Sequence, residues 1–509
     1  MKFRALFVSP LSATFELDNN SIFHSEHPFN VIVNGETMVE NCENNVFSIY
    51  GLKPDADYRV EIEGDSLDIH TKPASLILNS EDFQTLNGDD TLTLQSAISL
   101  LPKDGVLIIN EGTYRITSLF LKSDMTLYLE KGAKLEASLK VEDYPIMPAE
   151  KNLESGKRDI LCSWEGNPFP GKPAIINVYN ATNVNILGLG EIDGRAPQGE
   201  WWRDVKHLPW ARPNMIYIKD SSFVTLQGIT VENSPSWTIH PYFSSNLKFL
   251  DFDVKNPKDA PNTDGMDPES CVDVDIIGVR FSVGDDCIAL KSGKIDIGSY
   301  FKRPCRKIRI RNCYMHEGHG AITLGSEAGA GIQELEVSRC LFSHTDRGLR
   351  IKSRRGRGKD SVFDGIEFSD IKMEHVLTPL VVNMFYFCDP DGKSEYVQKK
   401  EKMPVDDSTP RIGSFLFQRL ECTDCEWAFG VFYGLPEQPI GSITIKDSHF
   451  TMAKNASEGL PAMMLDLEKM SKAGFVFHHV YKVVYSNVKV EGNVGPTTQC
   501  VDVAELENQ

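Results

Sequence analysis

Residues 272–281 read Val-Asp-Val-Asp-Ile-Ile-Gly-Val-Arg-Phe. Val272 and Val274 alternate with aspartates, a period of two that puts them on one face of a short strand. Gly278 punctuates the run, and Val279–Phe281 starts a second short strand. The same theme extends in both directions. Toward the N-terminus it recurs at Val184–Ile186, Val224–Leu226 with Ile229–Val231, and Leu247–Phe249. Toward the C-terminus it recurs at Ile308–Ile310, Leu335–Val337, Ile366–Phe368, Ile443–Ile445 and Val483–Tyr485. Spacings run irregularly from the low twenties upward, and long helices are hard to place. Short strands and polar turns in this rhythm predict an all-β solenoid, a parallel β-helix with loop insertions. A sandwich or a propeller is the alternative, but a propeller needs a regular four-strand blade period that is missing here.

Asp89-Asp90-Thr91 precedes Leu92, Leu94, Ala97, Ile98 and Leu101. That pattern predicts a short helix, capped by Asp90 or Thr91, closing the N-terminal end of the solenoid. Before it, strand-like stretches at Phe29–Val33, Val46–Tyr50 and Tyr58–Ile62 predict a small β-sandwich. Gly51-Leu52-Lys53-Pro54 followed by Tyr58-Arg59-Val60, with Thr71-Lys72-Pro73 as the exit, resembles a fibronectin type III domain. The expected division is residues 1–76 for the sandwich and 77–509 for the β-helix.

The chain has 509 residues, 41% of them hydrophobic and 25% charged, so it can bury a large core. A formal net charge of -19 argues against nucleic acid as a partner. Any polyanionic substrate would therefore need a local basic patch. No stretch approaches the length of a membrane span, and Met1–Asn20 does not read as a signal peptide. The 11 cysteines show no paired spacing, which suits a reducing cytoplasm. The lone Cys422-x-x-Cys425 has no second pair to complete a metal site. Oligomeric state is not legible.

Four motifs follow one another between residues 262 and 352: Asn262-Thr263-Asp264-Gly265-Met266-Asp267, Gly284-Asp285-Asp286-Cys287, Gly318-His319-Gly320 and Arg350-Ile351-Lys352. Each is about one coil from the next. Stacked strands lie about 4.8 Å apart, so the motifs can line one face. Arg350 and Lys352 share a side of a strand. Asp285 and Asp286 point oppositely on an ideal strand and reach one site only at a bend. Glycoside hydrolysis needs a proton for the leaving oxygen and a water activated on the opposite face of the sugar, which two carboxyl groups in different protonation states supply. Crowding raises the pKa of one, and nearby cations keep the others ionised. A calcium site at Asp264, Asp267, Asp285 and Asp286 is the competing reading.

In this combination the sequence resembles glycoside hydrolase family 28, the polygalacturonases, over roughly Asp89–Val490. The resemblance implies a right-handed parallel β-helix and hydrolysis with inversion, without metal or organic cofactor. It implies Asp285 as general acid, Asp264 and Asp286 as the carboxylates that hold water, and His319 as a catalytic-site histidine assisting the acid. Arg350 and Lys352 would bind the galacturonate carboxylate. Inversion leaves about 6.5–9.5 Å between acid and base for the water. Arg354, Arg355, Arg357 and Lys359 extend the basic stretch, and with Lys291 they suggest a cationic trough for carboxylated sugars.

Lys291 after the paired aspartates, Gly325-Ser326-Glu327, and the Pro213–Pro241 run ending Ser236-Trp237-Thr238-Ile239-His240-Pro241 resemble the exo-acting branch. Lys291 and Asn262 join the expected substrate-binding set. Insertions around Gly199–Arg212 and Asp389–Pro410 are expected to close one end of the cleft. Trp201, Trp202 and Trp210 would stack there on sugar faces or pack in the core. Tyr386 and Tyr433 lie in aromatic-rich stretches that fit a subsite or the core. Rival readings are a hydrolase for a decorated pectic linkage (rhamnogalacturonan or xylogalacturonan), a non-catalytic carbohydrate-binding solenoid, and a calcium-dependent pectate lyase.

Overall fold

The computed structural model describes residues 1–83 and 88–508. Seven antiparallel strands come first: β1 (Phe3–Val8), β2 (Ser12–Leu17), β3 (His24–Val33), β4 (Glu36–Asn44), β5 (Val46–Tyr50), β6 (Asp57–Ile62) and β7 (Asp65–His70). They form two sheets, ordered β1-β2-β5 and β4-β3-β6-β7. Alternation supplies the core between them: Phe15, Phe29, Val31, Phe47 and Val60 are buried, and the Phe15 and Phe47 rings stack with centroids 5.4 Å apart.

From Ile77–Asn79 onward the strands of the solenoid pair in parallel, coil on coil, with two short antiparallel hairpins inserted at 150–160 and 163–168. One face runs through Met125–Leu129, Thr182–Gly188, Ser222–Gln227, Ser245–Leu250, Val272–Ile277 and Cys305–Arg311. A second runs through Glu191–Asp193, Thr230–Glu232, Asp253–Lys255, Arg280–Val283 and Tyr314–Glu317. The third runs through Leu119–Leu121, Ile176–Tyr179, Ile216–Lys219 and Ile239–Tyr242. Single bridges carry it on through Met266 to Ile288–Leu290, then Ile322–Gly325 and Arg347–Lys352. The side chains pointing inward stack as columns of Ile, Val, Leu and Phe, forming one hydrophobic core from Leu94 to Tyr485. This is the solenoid expected from the period-two runs.

The helix α1 (Thr91–Leu100) closes the N-terminal end, with Leu94, Ala97 and Ile98 driven into the core. Asp90 holds the N-cap position, yet its side chain makes no cap hydrogen bond. Its carboxylate accepts from the Arg115 amide at 2.7 Å instead, tying the helix to the first coil. The Cys422-x-x-Cys425 pair is buried on the strand Ser414–Cys425.

Glu16 of β2 joins the sandwich to the solenoid. It is 1% exposed and accepts from Arg311 Nε at 2.7 Å, Arg339 Nη2 at 2.8 Å, Asn312 Nδ2 at 2.9 Å and Arg4 Nη2 at 2.8 Å. Burial alone would raise its pKa, but the hydrogen bonds and charges of Arg311, Arg4 and Arg339 outweigh burial and leave it below the usual carboxylate range. Breaking a buried pair by removing one partner costs about 3–5 kcal/mol. Glu16→Ala should therefore lower the thermal midpoint clearly. Because its folded pKa is depressed, Glu16 contributes stability above its unfolded pKa and loses that contribution as pH falls. Denaturation curves should thus show the widest gap between wild type and Glu16→Ala at pH 7, and the gap should narrow as pH is lowered.

Candidate functional site

The third face carries the chemistry. Its strand Ile288–Leu290 and the second-face strand Arg280–Val283 are joined by a bend at Gly284–Cys287. The bend lets Asp285 and Asp286 serve one site, as the sequence requires. Successive coils are locked in register there: Gly265 N donates to Asp286 O at 2.9 Å, Cys287 N to Gly320 O at 2.8 Å, and His319 N to Asp285 O at 3.0 Å. Glycine is needed at such close approaches. A Cβ on Gly265 would lie 2.5 Å from Cys287 O, and one on Gly320 would lie 2.9 Å from Asp286 Oδ1.

One carboxylate oxygen from each of Asp264, Asp285 and Asp286 lies within 4.8 Å of the others. Their environments differ. Asp286 is fully buried; Arg350 Nη1 donates to its Oδ1 at 3.0 Å and Lys352 Nζ to its Oδ2 at 2.7 Å. Burial opposes ionisation, but these two cations outweigh it and hold the carboxylate well below the usual range. Asp264, also buried, forms no salt bridge among the described residues. Burial, then repulsion from Asp267 and Asp285, pushes its pKa well above the usual carboxylate value. Asp285 is half-buried and faces the cavity. Because both Asp286 oxygens are engaged by cations, the cluster is poorly suited to calcium, which wants carboxylates free to ligate it.

The cavity holds about 200 Å³ and brings together Asn262, Asp264, Asp285, Lys291, His319, Arg350 and Lys352. All eight expected site residues therefore converge, Asp286 forming the floor beneath Arg350 and Lys352. The arrangement departs from expectation in several ways. In the free cleft Asp264 is raised by burial first and by the crowding of Asp267 and Asp285 second. The nearest oxygens are closer than the 6.5–9.5 Å expected between acid and base, because adjacent coils fix them one rung apart; nearest-oxygen spacing is a lower bound on the separation of the carboxyl groups. Lys291 is buried, 2.9 Å from Glu327, 3.5 Å from Asp267 and 4.4 Å above the Trp237 ring. Asn262 Oδ1 accepts from Arg212 Nη2 at 2.7 Å.

The cationic trough does not form. Arg354 and Arg357 both pair with Asp389, at 2.8 and 2.6 Å, and Arg355 with Glu437 at 2.6 Å; all three are buried. Lys359 is exposed and pairs with Asp407. These cations brace the loop at 389–398 and are already neutralised. Trp201 is buried in the core, and Trp202 and Trp210 pack against it. Tyr433 is also core, while Tyr386 lines the cavity. The 199–212 insertion contributes only Arg212, beneath Asn262. Walls come instead from Glu165, Trp237, Ser326, Glu327, Cys388, Asp389 and Met463. Glu165 and Met463 lie far from every motif in sequence, so no local signal marked them. Gln398 clasps two wall loops: its Nε2 donates to Phe385 O and Gly392 O at 2.7 and 2.8 Å, and its Oε1 accepts from Leu465 N at 3.0 Å.

His319 reaches Asp346 through Nδ1 at 2.9 Å. That hydrogen bond is the largest cause of a raised histidine pKa, with the Asp285 and Asp286 charges adding to it against desolvation. His319 thus stays protonated to higher pH than a free imidazole. Asp346→Asn removes the charge and leaves at most a bond to a neutral acceptor, so an NMR titration of the His319 ring should shift to lower pH in the variant. An unchanged midpoint would show that Asp346 does not set it.

Residues 161–408 match the model for "Glycosyl hydrolases family 28". A "Probable polygalacturonase" from Vitis vinifera is 31% identical over 309 residues, covering 58% of this chain and 60% of that protein. An "Exo-poly-alpha-D-galacturonosidase" from Dickeya chrysanthemi is 24% identical, covering 77% of this chain and 69% of that protein. In fold, the chain superposes on a "Family 28 Exopolygalacturonase" from Yersinia enterocolitica with TM-score 0.70 at 17% identity, covering 100% of this chain and 98% of that one. The segment that carries the aspartate cluster thus lies within the part of the chain that matches the family 28 model.

Proposed function

We propose that this chain is a family 28 glycoside hydrolase that cleaves α-1,4-galacturonosidic bonds in galacturonan or its oligosaccharides, acting from the non-reducing end. The observation that carries the reading is the division of labour among three neighbouring aspartates. Asp286 is pinned as an anion by Arg350 and Lys352, Asp264 is buried with a raised pKa, and Asp285 faces the cavity. Carboxyl groups this close titrate as one unit, so the cluster supplies both a proton and a negative charge. Asp285, the accessible member, protonates the leaving glycosidic oxygen. For this step the cluster's shared proton sits on Asp285, which leaves Asp264 ionised, so that Asp264 and Asp286 orient and deprotonate the attacking water, and protonated His319 supports the acid. Arg350 and Lys352 together carry one positive charge more than Asp286 neutralises, which suits a uronate carboxylate at the cleavage point.

Wall loops at 165, 386–389 and 463 support exo action by confining the cavity, as do the exo-acting names of the Dickeya and Yersinia proteins. The seven-stranded N-terminal unit, 1–76, is proposed as a fibronectin type III-like domain ahead of a catalytic unit at 77–509. Cytoplasmic location, expected from cysteine usage, is part of the same proposal.

The test is incubation with trigalacturonate and with polygalacturonate, chelator present, following reducing ends and resolving products by chromatography. Saturated mono- or digalacturonate should appear first. Asp285→Asn should lower kcat by about 10²–10⁴-fold, the worth of general acid catalysis. An early ladder of intermediate lengths would overturn exo action, and an absorbing unsaturated product that appears only when calcium replaces the chelator would point to a lyase. Turnover only on rhamnogalacturonan or xylogalacturonan fragments would move the substrate to a decorated linkage. Proton NMR of the first product should show the β-anomer, the mark of inversion. Gln398→Ala, which unclasps the two wall loops, should add internal cuts on polygalacturonate while trigalacturonate turnover changes less than about threefold.

A further inference from the structure

We propose a second saccharide-binding site, for an acidic oligosaccharide, in the groove between the N-terminal sandwich and the first face of the β-helix. The ligand class rests on the galacturonan reading; the site itself rests on different residues, none of which lines the aspartate cavity.

The first observation is a residue out of place. A left-handed column runs on through Lys307 and Glu334; on the successive coils before them the turn leading into the first face holds Asp124, Asn183, Phe223, Asn246 and Asp273, stacked in register. All five are left-handed, with φ of 57, 57, 55, 55 and 58°. Asp and Asn tolerate that conformation because a short polar side chain can hydrogen-bond locally; a bulky aromatic there is an outlier that costs energy. The fold offers no compensation, since Phe223 is 60% exposed. A strained and exposed aromatic ring is a reason to look for a ligand.

The second observation is what surrounds it. Phe223 borders a groove of about 350 Å³ lined also by Phe7, Lys72, Asn183, Asn246 and Lys248. The groove continues beneath Pro10 and Pro73 into a hollow of about 180 Å³ that shares Lys72 and Asn183. Lys72 Nζ lies 5.8 Å from the Phe7 ring centre, and Lys248 Nζ donates to Leu6 O at 3.0 Å, so the ammonium groups stand where the two domains meet. Asp104 and Asp124 line the far hollow, where Asp124 accepts from Asn183 Nδ2 at 3.0 Å. A flat aromatic face suits the C–H face of a pyranose, side-chain amides suit its hydroxyls, and two lysines suit its carboxylates. The chemistry is that of an acidic sugar chain lying with its carboxylates toward Lys72 and Lys248. Such a site would hold a long substrate on the protein while its end is processed in the cavity.

The test uses the full chain. Phe223→Asn restores the residue type that neighbouring turns carry, so its melting temperature should equal or exceed that of wild type and loss of fold cannot mimic loss of binding. In native gels containing polygalacturonate, Phe223→Asn and Lys72→Ala should each be retarded at least about threefold less than wild type, while trigalacturonate turnover is unchanged. Equal retardation of Phe223→Asn and wild type would overturn the proposal. Phe223-dependent retardation in a neutral galactan gel of the same strength would overturn its acidic specificity. If wild type is retarded through Phe223 but hydrolyses no galacturonan, the cavity reading fails and the groove stands.

Discussion

Parallel coil-on-coil hydrogen bonding is the constraint on which the site depends. Asp264, Asp286, His319 and Arg350 are separated by whole turns of the solenoid, and no local structure brings them together. Register does. Met266 bridges Ile288, Ile288 pairs with Ile322, and Ile322 with Leu349, so each motif lands one rung above the last. A one-residue slip in any coil would send its functional side chains to the opposite face. The buried columns of aliphatic side chains prevent that slip, because it would expose them to water. Core packing and site geometry are therefore one requirement.

The protein's acidity and the anionic substrate proposed for it are reconciled locally. Charges near the cavity are paired: Lys291 with Glu327, Lys294 with Asp389 at 3.0 Å, Arg355 with Glu437. Buried ions without partners are prohibitive, so the fold neutralises most of its cations before substrate arrives. Arg350 and Lys352 are different, since they share Asp286 alone, whereas Lys294, Arg354 and Arg357 around Asp389 are also met by Glu165 and Asp391. The excess positive charge that a uronate would find is small and precisely located, in place of the broad trough that the run of arginines suggested.

The fold was legible because its signal is local and repeated. Alternation in Val272–Val274 and its counterparts reports one buried face per strand, and the terminal helix was visible in the spacing of Leu94, Ala97 and Ile98. The N-terminal strand at Val46–Tyr50 fell where the pattern put it. Less legible was what the arginines after Lys352 do. Their partners, Asp389 and Glu437, lie well downstream, and a basic run looks the same whether solvated, substrate-facing or buried in ion pairs. The tryptophans at 201, 202 and 210 were ambiguous for a similar reason, since aromatic character suits both a sugar and a core.

Sequence by itself determined the architecture, the four motifs and the eight residues that converge, because period-two burial and motif order survive any detail of the loops. Tertiary structure alone decided which carboxyl is buried without a partner, which is pinned by cations, and which faces the cavity. It also decided that Glu165 and Met463 wall the site, and that Phe223 stands exposed in a left-handed conformation that its adjacent rungs fill with Asn183 and Asn246. The physical reason is that protonation and access depend on burial and on charges within a few ångströms. Those distances are set by the stacking of coils remote in sequence, which a linear pattern does not contain.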